Sequence, residues 1–328
     1  MAPSLNILIG LPLLFSSLSI IAKRLWGSIG SLCYHLHTIY LFSCNNIQDT
    51  IIPGLLFGSL NASVAPRLSM GPARSLTDIL QSIPAMLLWG WSHLLFFNIS
   101  NQRHECAITE DRLNKPWRPL ATNRVSPGQA SWALCLMCPV IMIIWLSLGG
   151  LAPGCIIVAL TLLYNDCGGA SNPWVKNLLN GPAIVSFHVG PLEVATGRSI
   201  FPAAGNGEAT AWLLILAAAV ATTSHAQDFR DVDGDKAAGR ETLPISIGDL
   251  NARMLAAFGI AGWTLVACRF WGVGWAGGSL VVIAGVVVAG NMFWDKTRAG
   301  DALTWKIFPF WMLGLFLLPV WVDMMSAY

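Results

Sequence analysis

Residues 209–244 read ATAWLLILAAAVATTSHAQDFRDVDGDKAAGRETLP, an apolar run that ends abruptly in acidic and basic side chains. The run over residues 209–226 has the length and apolar character of a membrane-spanning helix, which needs about 20 such residues. Similar apolar runs recur along nearly the whole chain. The pattern therefore predicts an all-α protein, a polytopic bundle of membrane helices with its charges at the helix ends.

The composition of the chain agrees with that prediction. Of its 328 residues, 55% are hydrophobic and only 11% are charged, whereas a soluble protein carries about 25% charged residues. A large soluble helical core is disfavoured, because it would still need charged outer faces. The net charge is +2 and no long basic run occurs, so we expect no nucleic-acid partner. The expected surroundings are a lipid membrane.

Apolar runs bounded by turn and charge signals predict about nine membrane-spanning helices. They lie at about 38–60, 77–99, 128–148, 152–165, 175–196, 209–226, 253–270, 275–293 and 304–323. A further apolar stretch over residues 7–22 precedes Lys23 and Arg24, and it can span the membrane or lie on its surface. We therefore expect an N-terminal apolar segment over residues 1–33 and a transmembrane domain over residues 34–328.

The distribution of Lys and Arg predicts the orientation of these helices. Most basic residues fall in the connections after the second, fourth, sixth and eighth spans, on the same side as Lys23 and Arg24. Since basic connections stay in the cytosol, that side is expected to be cytosolic. We expect an integral protein of the endoplasmic reticulum membrane, with its two most acidic connections facing the cytosol.

The second acidic connection carries Asp228, Asp231 and Asp235. On a helix, the spacing i, i+3, i+7 places all three carboxylates on one face. Carboxylate oxygens are the ligands of hard cations, and Mg²⁺ usually takes one or two of them together with substrate phosphates. Lys236 and Arg240 follow and can bind a diphosphate. The alternative is a solvated loop of mutually paired charges, which a second charged connection on the same side makes less favoured.

The first acidic connection reads Asn101-Gln-Arg-His-Glu105-Cys-Ala-Ile-Thr-Glu110-Asp111. It offers Asn101, Glu105 and Asp111 as ligands, with Glu110 also available. Facing the second connection, such a cluster would hold two or more Mg²⁺ ions across one diphosphate. The ions would neutralise the leaving group and draw electrons from an allylic C–O bond.

A carbocation formed in this way must be shielded from water inside an apolar, aromatic-lined cavity. Aromatic residues in or near the predicted spans are candidates to line it through cation–π contact, and we expect only a minority of them to do so. These candidates are Trp89, Trp91, Phe96, Phe97, Tyr164, Trp174, Phe187 and Trp212.

Two strings carry a family resemblance. Asp111-Arg-x-Asn-Lys-Pro-x-Arg-Pro119 and Asp228-x-x-Asp231-x-x-Gly-Asp235 resemble the two motifs of the UbiA superfamily of intramembrane prenyltransferases. The resemblance implies a UbiA-like bundle of nine helices, with Mg²⁺ and an isoprenyl diphosphate between two acidic loops. The implied Mg²⁺ ligands are Asn101, Glu105, Asp111, Asp228, Asp231 and Asp235. The implied diphosphate contacts are Arg118, Lys236 and Arg240, with Lys176 and Asn180 at the start of the fifth span.

The first string departs from the usual family pattern, Asn-Asp-x-x-Asp-x-x-x-Asp. Gln102 and Glu105 replace two of its aspartates, and two additional residues precede Asp111. We expect a short irregular segment between Glu105 and Asp111 to absorb this insertion. The altered string is similar to a fungal branch of the superfamily that contains membrane-bound sesquiterpene cyclases of the fumagillin-pathway, bergamotene synthase type.

Three functions follow from these observations. The first is a Mg²⁺-dependent class I terpene cyclase that converts an isoprenyl diphosphate, expected to be farnesyl diphosphate, to a cyclic sesquiterpene with release of diphosphate. The second is a UbiA-type prenyltransferase that transfers the prenyl chain to an aromatic or other acceptor. A membrane transporter fits less well, because transporters carry their polar groups near mid-membrane. The motifs do not separate the first two functions, since both begin with the same ionisation.

Overall fold

The computed structural model describes residues 30–201 and 207–326, and these residues form helices and connections without a strand. The predicted N-terminal segment over residues 1–33 lies almost wholly outside the described residues. The predicted all-α bundle is confirmed.

The helices follow one another with short connections. In chain order they are α1 (residues 30–43), α2 (Ile52–Ser63), α3 (Leu76–Gln102), α4 (Glu105–Asn114), α5 (Pro127–Leu148), α6 (Leu151–Asn165), α7 (Pro173–Thr196), α8 (Gly207–Thr223), α9 (Val232–Ala237), α10 (Leu243–Ser246), α11 (Asp249–Phe270), α12 (Trp275–Trp294), α13 (Arg298–Phe316) and α14 (Leu318–Ser326). A π-helical turn, Ile47–Ile51, precedes α2, and a 3₁₀ helix, Ser224–Asp231, joins α8 to α9.

Six helical stretches of the described residues have the length and apolar composition needed to cross a membrane, and two of them join consecutive helices. They are Leu76–Gln102, Pro127–Leu148, Gly207–Ala237 (α8 to α9), Asp249–Phe270, Ala276–Trp294 and Arg298–Ser326 (α13 and α14). Their outer faces carry exposed apolar side chains such as Leu146 on α5 and Val286 on α12. A helix satisfies its own backbone hydrogen bonds and can therefore face lipid. The protein is thus integral to a membrane, while the number of nine spans stays a prediction.

Helix α7 lies at the centre of the bundle and packs against α2, α3, α6 and α8. Asn172 caps the first turn of α7. Its side-chain oxygen accepts hydrogen bonds from the backbone N–H groups of Trp174 and Val175. Further along, a Cβ atom at Gly190 would come within 2.0 Å of the Trp89 ring on α3. Glycine is therefore required for this close approach of α3 and α7.

The predicted span over residues 38–60 is interrupted. Helix α1 ends at residue 43, and the π-helical turn intervenes before α2 begins. Within that turn, Asp49 accepts a hydrogen bond of 3.0 Å from Trp305 Nε1 of α13. Asp49 is half-buried, so this hydrogen bond satisfies one oxygen of a partly desolvated carboxylate. π-helical turns occur frequently at functional sites.

Candidate active site

A cavity of about 1440 Å³, including its open mouth, runs into the bundle between α2, α3, α6, α7 and α13. Both charged connections contribute to the mouth, which collects polar side chains from several elements. These are Asn101, Glu110, Lys115, Arg118, Tyr164, Lys176, Asn180, Asp228, Arg230, Asp231, Asp235 and Arg240.

The second acidic connection brings its three carboxylates to the cavity through a change of helix type. In the 3₁₀ helix, side chains three apart eclipse one another, so Asp228 and Asp231 point the same way. Helix α9 then places Asp235 four residues on, on the same side. All three line the cavity. Lys236 is turned by about 100° relative to its neighbour and is exposed outside the cavity, so the structure does not bring it to the predicted diphosphate site.

The first acidic connection differs from the prediction. Helix α4 is continuous, and the irregular residues are Arg103 and His104, which precede Glu105. The expected irregular segment between Glu105 and Asp111 is therefore wrong. Asp111 follows Glu105 by six residues, which corresponds to a rotation of about 600° around the helix axis. The side chains of Glu105 and Asp111 therefore point about 120° apart. Glu105 is exposed outside the cavity, whereas Glu110 is buried and lines it.

Two lysines pair with the aspartates of the second connection. Lys176 Nζ on α7 lies 2.5 Å from Asp228 Oδ1. Lys115 Nζ lies 3.2 Å from Asp231 Oδ2. The predicted residue Asn180 lies one turn beyond Lys176 and also lines the cavity. The mouth therefore carries positive and negative side chains next to one another.

Arg240 connects the two acidic connections. Its Nη1 atom lies 2.7 Å from Glu110 Oε2 and 3.8 Å from Asp235 Oδ1, and its Nη2 atom donates to the Tyr164 hydroxyl at 3.0 Å. Burial by itself would raise the pKa of Glu110, but the cations Arg240 and Lys115 hold that pKa below its ordinary value. Glu110 is therefore ionised at neutral pH.

Asp111 lies behind Arg118 and does not line the cavity. Both of its oxygens accept hydrogen bonds from Arg118 Nη1, at 2.9 and 3.0 Å. Both side chains are buried. In this arrangement Asp111 holds the Arg118 guanidinium toward the cavity, so its predicted role as a direct metal ligand stays a prediction.

The donor set at the mouth fits a hard divalent cation. Asp228 Oδ2 and Asp235 Oδ2 are buried oxygens without a hydrogen-bond partner among the described residues, and such oxygens are the ligands that Mg²⁺ prefers. Asn101 also faces the cavity, and its Nδ2 atom donates to Asn165 Oδ1 at 2.9 Å. Within residues 30–201 and 207–326, no three His, Cys, Asp or Glu side chains form a ready metal site by themselves. The set therefore suits a cation that takes its remaining ligands from a phosphate group.

The body of the cavity is apolar. Its walls include Leu94, Phe97, Ile157, Leu160, Leu179, Ile184, Phe187, Val220, Trp305, Phe308 and Met312. Of the eight predicted aromatic candidates, Phe97, Tyr164 and Phe187 line the cavity, which agrees with the expected minority. Trp305 and Phe308 were not predicted, because no local pattern separates a cavity-facing aromatic residue from a packing one.

Several polar residues of the cavity were not predicted, among them Asp49, Lys115 and His188. Asp49 and His188 both line its wall, and each lies within an apolar span, which is the signal that points to function. Lys115 lies within the first string but outside the site residues that the resemblance implied.

The two charged connections touch each other. Asn114 Nδ2 at the end of α4 donates to the backbone carbonyl of Asp231 at 3.1 Å. A Cβ atom at Gly234 would come within 2.1 Å of the same nitrogen. Because position 234 has no side chain, α4 and α9 can lie in direct contact beside the mouth.

Comparison with known proteins agrees with this architecture. The model of the UbiA prenyltransferase family matches residues 69–317. The chain is 27% identical over 285 residues to fumagillin beta-trans-bergamotene synthase of Aspergillus fumigatus, covering 87% of this chain and 92% of that one. It is 28% identical to a diterpene cyclase of Hericium erinaceus, covering 68% of each chain.

A solved structure has the same fold. It is a UbiA homolog from Archaeoglobus fulgidus bound to GPP and Mg²⁺, with a TM-score of 0.60 and 15% identity over 86% of this chain and 99% of that one. The family match extends over most of the chain and includes both charged connections. The chain is therefore an integral membrane enzyme that belongs to the UbiA prenyltransferase family.

Proposed function

We propose that this enzyme is a Mg²⁺-dependent terpene cyclase that ionises farnesyl diphosphate and lets the double bonds of the same chain trap the cation. The main support is that one cavity combines two kinds of surface. Its mouth carries carboxylates and cations, and its body is lined by apolar and aromatic side chains. The likeness to a bergamotene synthase and a diterpene cyclase supports cyclisation. The homolog bound to GPP and Mg²⁺ supports a prenyl diphosphate and this metal.

The cations of the mouth would bind the diphosphate. Lys115 and Lys176 supply compact charges, while Arg118 and Arg240 supply planar forks that match phosphate oxygens. Asp111 keeps the Arg118 guanidinium in place through its two hydrogen bonds. These groups reach the mouth from three separate parts of the chain, so they would surround the diphosphate rather than contact it from one side.

The carboxylates would hold Mg²⁺. Asp228, Asp231 and Asp235 supply the ligands on one side of the mouth, with Asn101 and Glu110 on the other. Mg²⁺ held there would neutralise the charge that develops on the departing diphosphate. The carboxylates are paired with Lys and Arg side chains in the structure, so they would exchange these partners to become ligands, and the freed cations would bind diphosphate oxygens.

The apolar body would protect the carbocation. Its walls exclude water, and the faces of Phe97, Phe187 and Phe308 offer cation–π stabilisation along the prenyl chain. A folded chain would place its own double bonds near the ionised carbon, which favours cyclisation over capture by water. We further propose that the mouth faces the cytosol from the endoplasmic reticulum membrane, since the basic residues concentrate in the connections on that side.

The test uses purified protein in detergent with Mg²⁺ and farnesyl diphosphate as the sole substrate. A cyclic hydrocarbon, identified by gas chromatography and mass spectrometry together with released diphosphate, is the expected result. Substrate that is consumed only after an acceptor is added would instead establish a prenyltransferase. The Asp235→Ala variant serves as the matched negative control.

A further inference from the structure

His188 lies in the wall of the cavity, deep within the bundle. Its side chain is 1% exposed, and neither ring nitrogen has a hydrogen-bond partner among the described residues. Phe57 and Phe316 flank the ring, with centroid distances of 5.8 and 4.7 Å. A buried polar ring without partners carries a cost in folding free energy, so its position calls for a functional explanation.

Other buried histidines of the described chain have partners. His93 contacts the Trp89 carbonyl oxygen at 2.6 Å and accepts from Trp145 Nε1 at 2.8 Å. His225 contacts a backbone carbonyl oxygen at 2.9 Å. Neither of these lines the cavity. His188 differs from them because both of its nitrogens lack a partner, whereas His225 lacks one only at Nδ1, and because His188 faces the cavity.

His188 is also a nitrogen base in the apolar part of the cavity, and no described group uses its lone pair. Asp49 accepts from Trp305 Nε1 and from a neighbouring hydroxyl, so each of its oxygens already accepts a hydrogen bond. Asn98 and Thr161 have unpartnered polar atoms as well, but an amide and a hydroxyl bind a proton far more weakly than an imidazole does. A neutral imidazole has one nitrogen lone pair free to accept a proton.

Lys176 and His188 share helix α7 and line the same cavity. Twelve residues separate them, which corresponds to about 18 Å along the helix axis. A diphosphate held by Lys176 at the mouth therefore lies too far away to remove a proton beside His188. A cation that ends at the deep part of the cavity needs a base located there.

We propose that His188 is that base, an inference that rests on the proposed cyclase function. A ring nitrogen of His188 takes a proton from a carbon next to the cationic centre. The electron pair of the broken C–H bond forms the new C=C bond, and His188 becomes an imidazolium. No described carboxylate contacts the ring, and a buried charge is costly, so the ring is neutral when substrate binds. After the hydrocarbon leaves, the imidazolium returns its proton to entering water.

The test compares product distributions per mole of diphosphate released. His188→Phe keeps an aromatic face but has no lone pair, so it separates a base from a cation–π contact. We expect this variant to give less of the wild-type hydrocarbon by about ten-fold or more, with isomeric hydrocarbons or alcohols in its place. If His188→Phe is not stably folded, the smaller His188→Gln is measured in the same way.

An unchanged product distribution in a folded His188 variant would overturn the proposal. His93→Phe is the matched control, because it alters a buried histidine outside the cavity and is expected to affect stability without changing the products. If the proposed cyclase function is wrong, the wild-type protein releases no diphosphate from farnesyl diphosphate alone. If only the role of His188 is wrong, wild type and variant release diphosphate and give the same products.

Discussion

Lys176 Nζ and Asp228 Oδ1 lie 2.5 Å apart, and their side chains are only 3% and 4% exposed. The pair joins α7, which carries His188, to the 3₁₀ helix that begins the aspartate-rich connection. Removing one partner of a buried ion pair leaves an uncompensated charge. The two residues therefore contribute to stability as well as to the proposed site, and the two contributions can be separated.

Lys176→Met is expected to lower the free energy of unfolding by about 3–5 kcal/mol and to abolish turnover. The double variant Lys176→Met/Asp228→Asn has no unpaired charge, so it should regain most of the stability and none of the turnover. Thermal unfolding in detergent and diphosphate release measure the two effects. Recovered turnover in the double variant would show that the pair has only a structural role.

Asp231→Ala and Asp235→Ala are each expected to abolish turnover in a folded, membrane-inserted protein, because both carboxylates face the mouth. Asp233→Ala is the matched control, since Asp233 belongs to the same short helix but is exposed. Diphosphate release and size-exclusion profiles of the three variants provide the measurement. Turnover within a few-fold of wild type in either site variant would remove that residue from the proposed mechanism.

Glu110→Gln is expected to cut turnover by about 10²-fold, a loss of about 2.7 kcal/mol of transition-state stabilisation. Glu105→Gln should stay within a few-fold of wild type, because Glu105 is exposed outside the cavity. The measurement compares kcat/KM for the two variants at low Mg²⁺. A larger loss in Glu110→Gln supports the structure, in which Glu110 faces the cavity, over the motif, which implies Glu105 as the metal ligand. A severe loss in Glu105→Gln alone would contradict this assignment.

Mg²⁺ and inorganic diphosphate are expected to bind cooperatively. The carboxylates of the mouth are paired with Lys and Arg, and a diphosphate would draw those cations away. Calorimetry should show that diphosphate tightens Mg²⁺ binding by about ten-fold or more, and that Mg²⁺ tightens diphosphate binding by the same factor. EDTA should stop the reaction and Mg²⁺ restore it. Equal Mg²⁺ affinity with and without diphosphate would exclude the exchange of partners.

Much of the architecture was predictable from the sequence. Apolar runs mark the helices, and the spacing of Asp228, Asp231 and Asp235 places three carboxylates on one side whether the backbone is an α-helix or, as here, changes from 3₁₀ to α. The pattern is robust because side chains three or four apart stay neighbours in both forms.

The first connection shows where prediction failed. Which of Glu105 and Glu110 faces the cavity depends on where α4 begins, and a shift of one residue rotates each side chain by about 100°. The two residues before α4 make tertiary contacts, among them the ion pair of Arg103 with Asp166. The spacing of residues within a motif cannot predict a contact with Asp166, which lies 63 positions from Arg103 in the chain.

The contact between Gly234 and Asn114 leaves no room for a side chain at position 234 while Asn114 keeps its present position. A methyl group there would come within 2.1 Å of the amide nitrogen of Asn114, so the Asn114 side chain would have to move and give up its hydrogen bond to the Asp231 carbonyl oxygen. That hydrogen bond joins the end of α4 to the aspartate-rich connection. An uncharged substitution at position 234 would therefore loosen the contact between the two acidic connections while every charged residue stays in place.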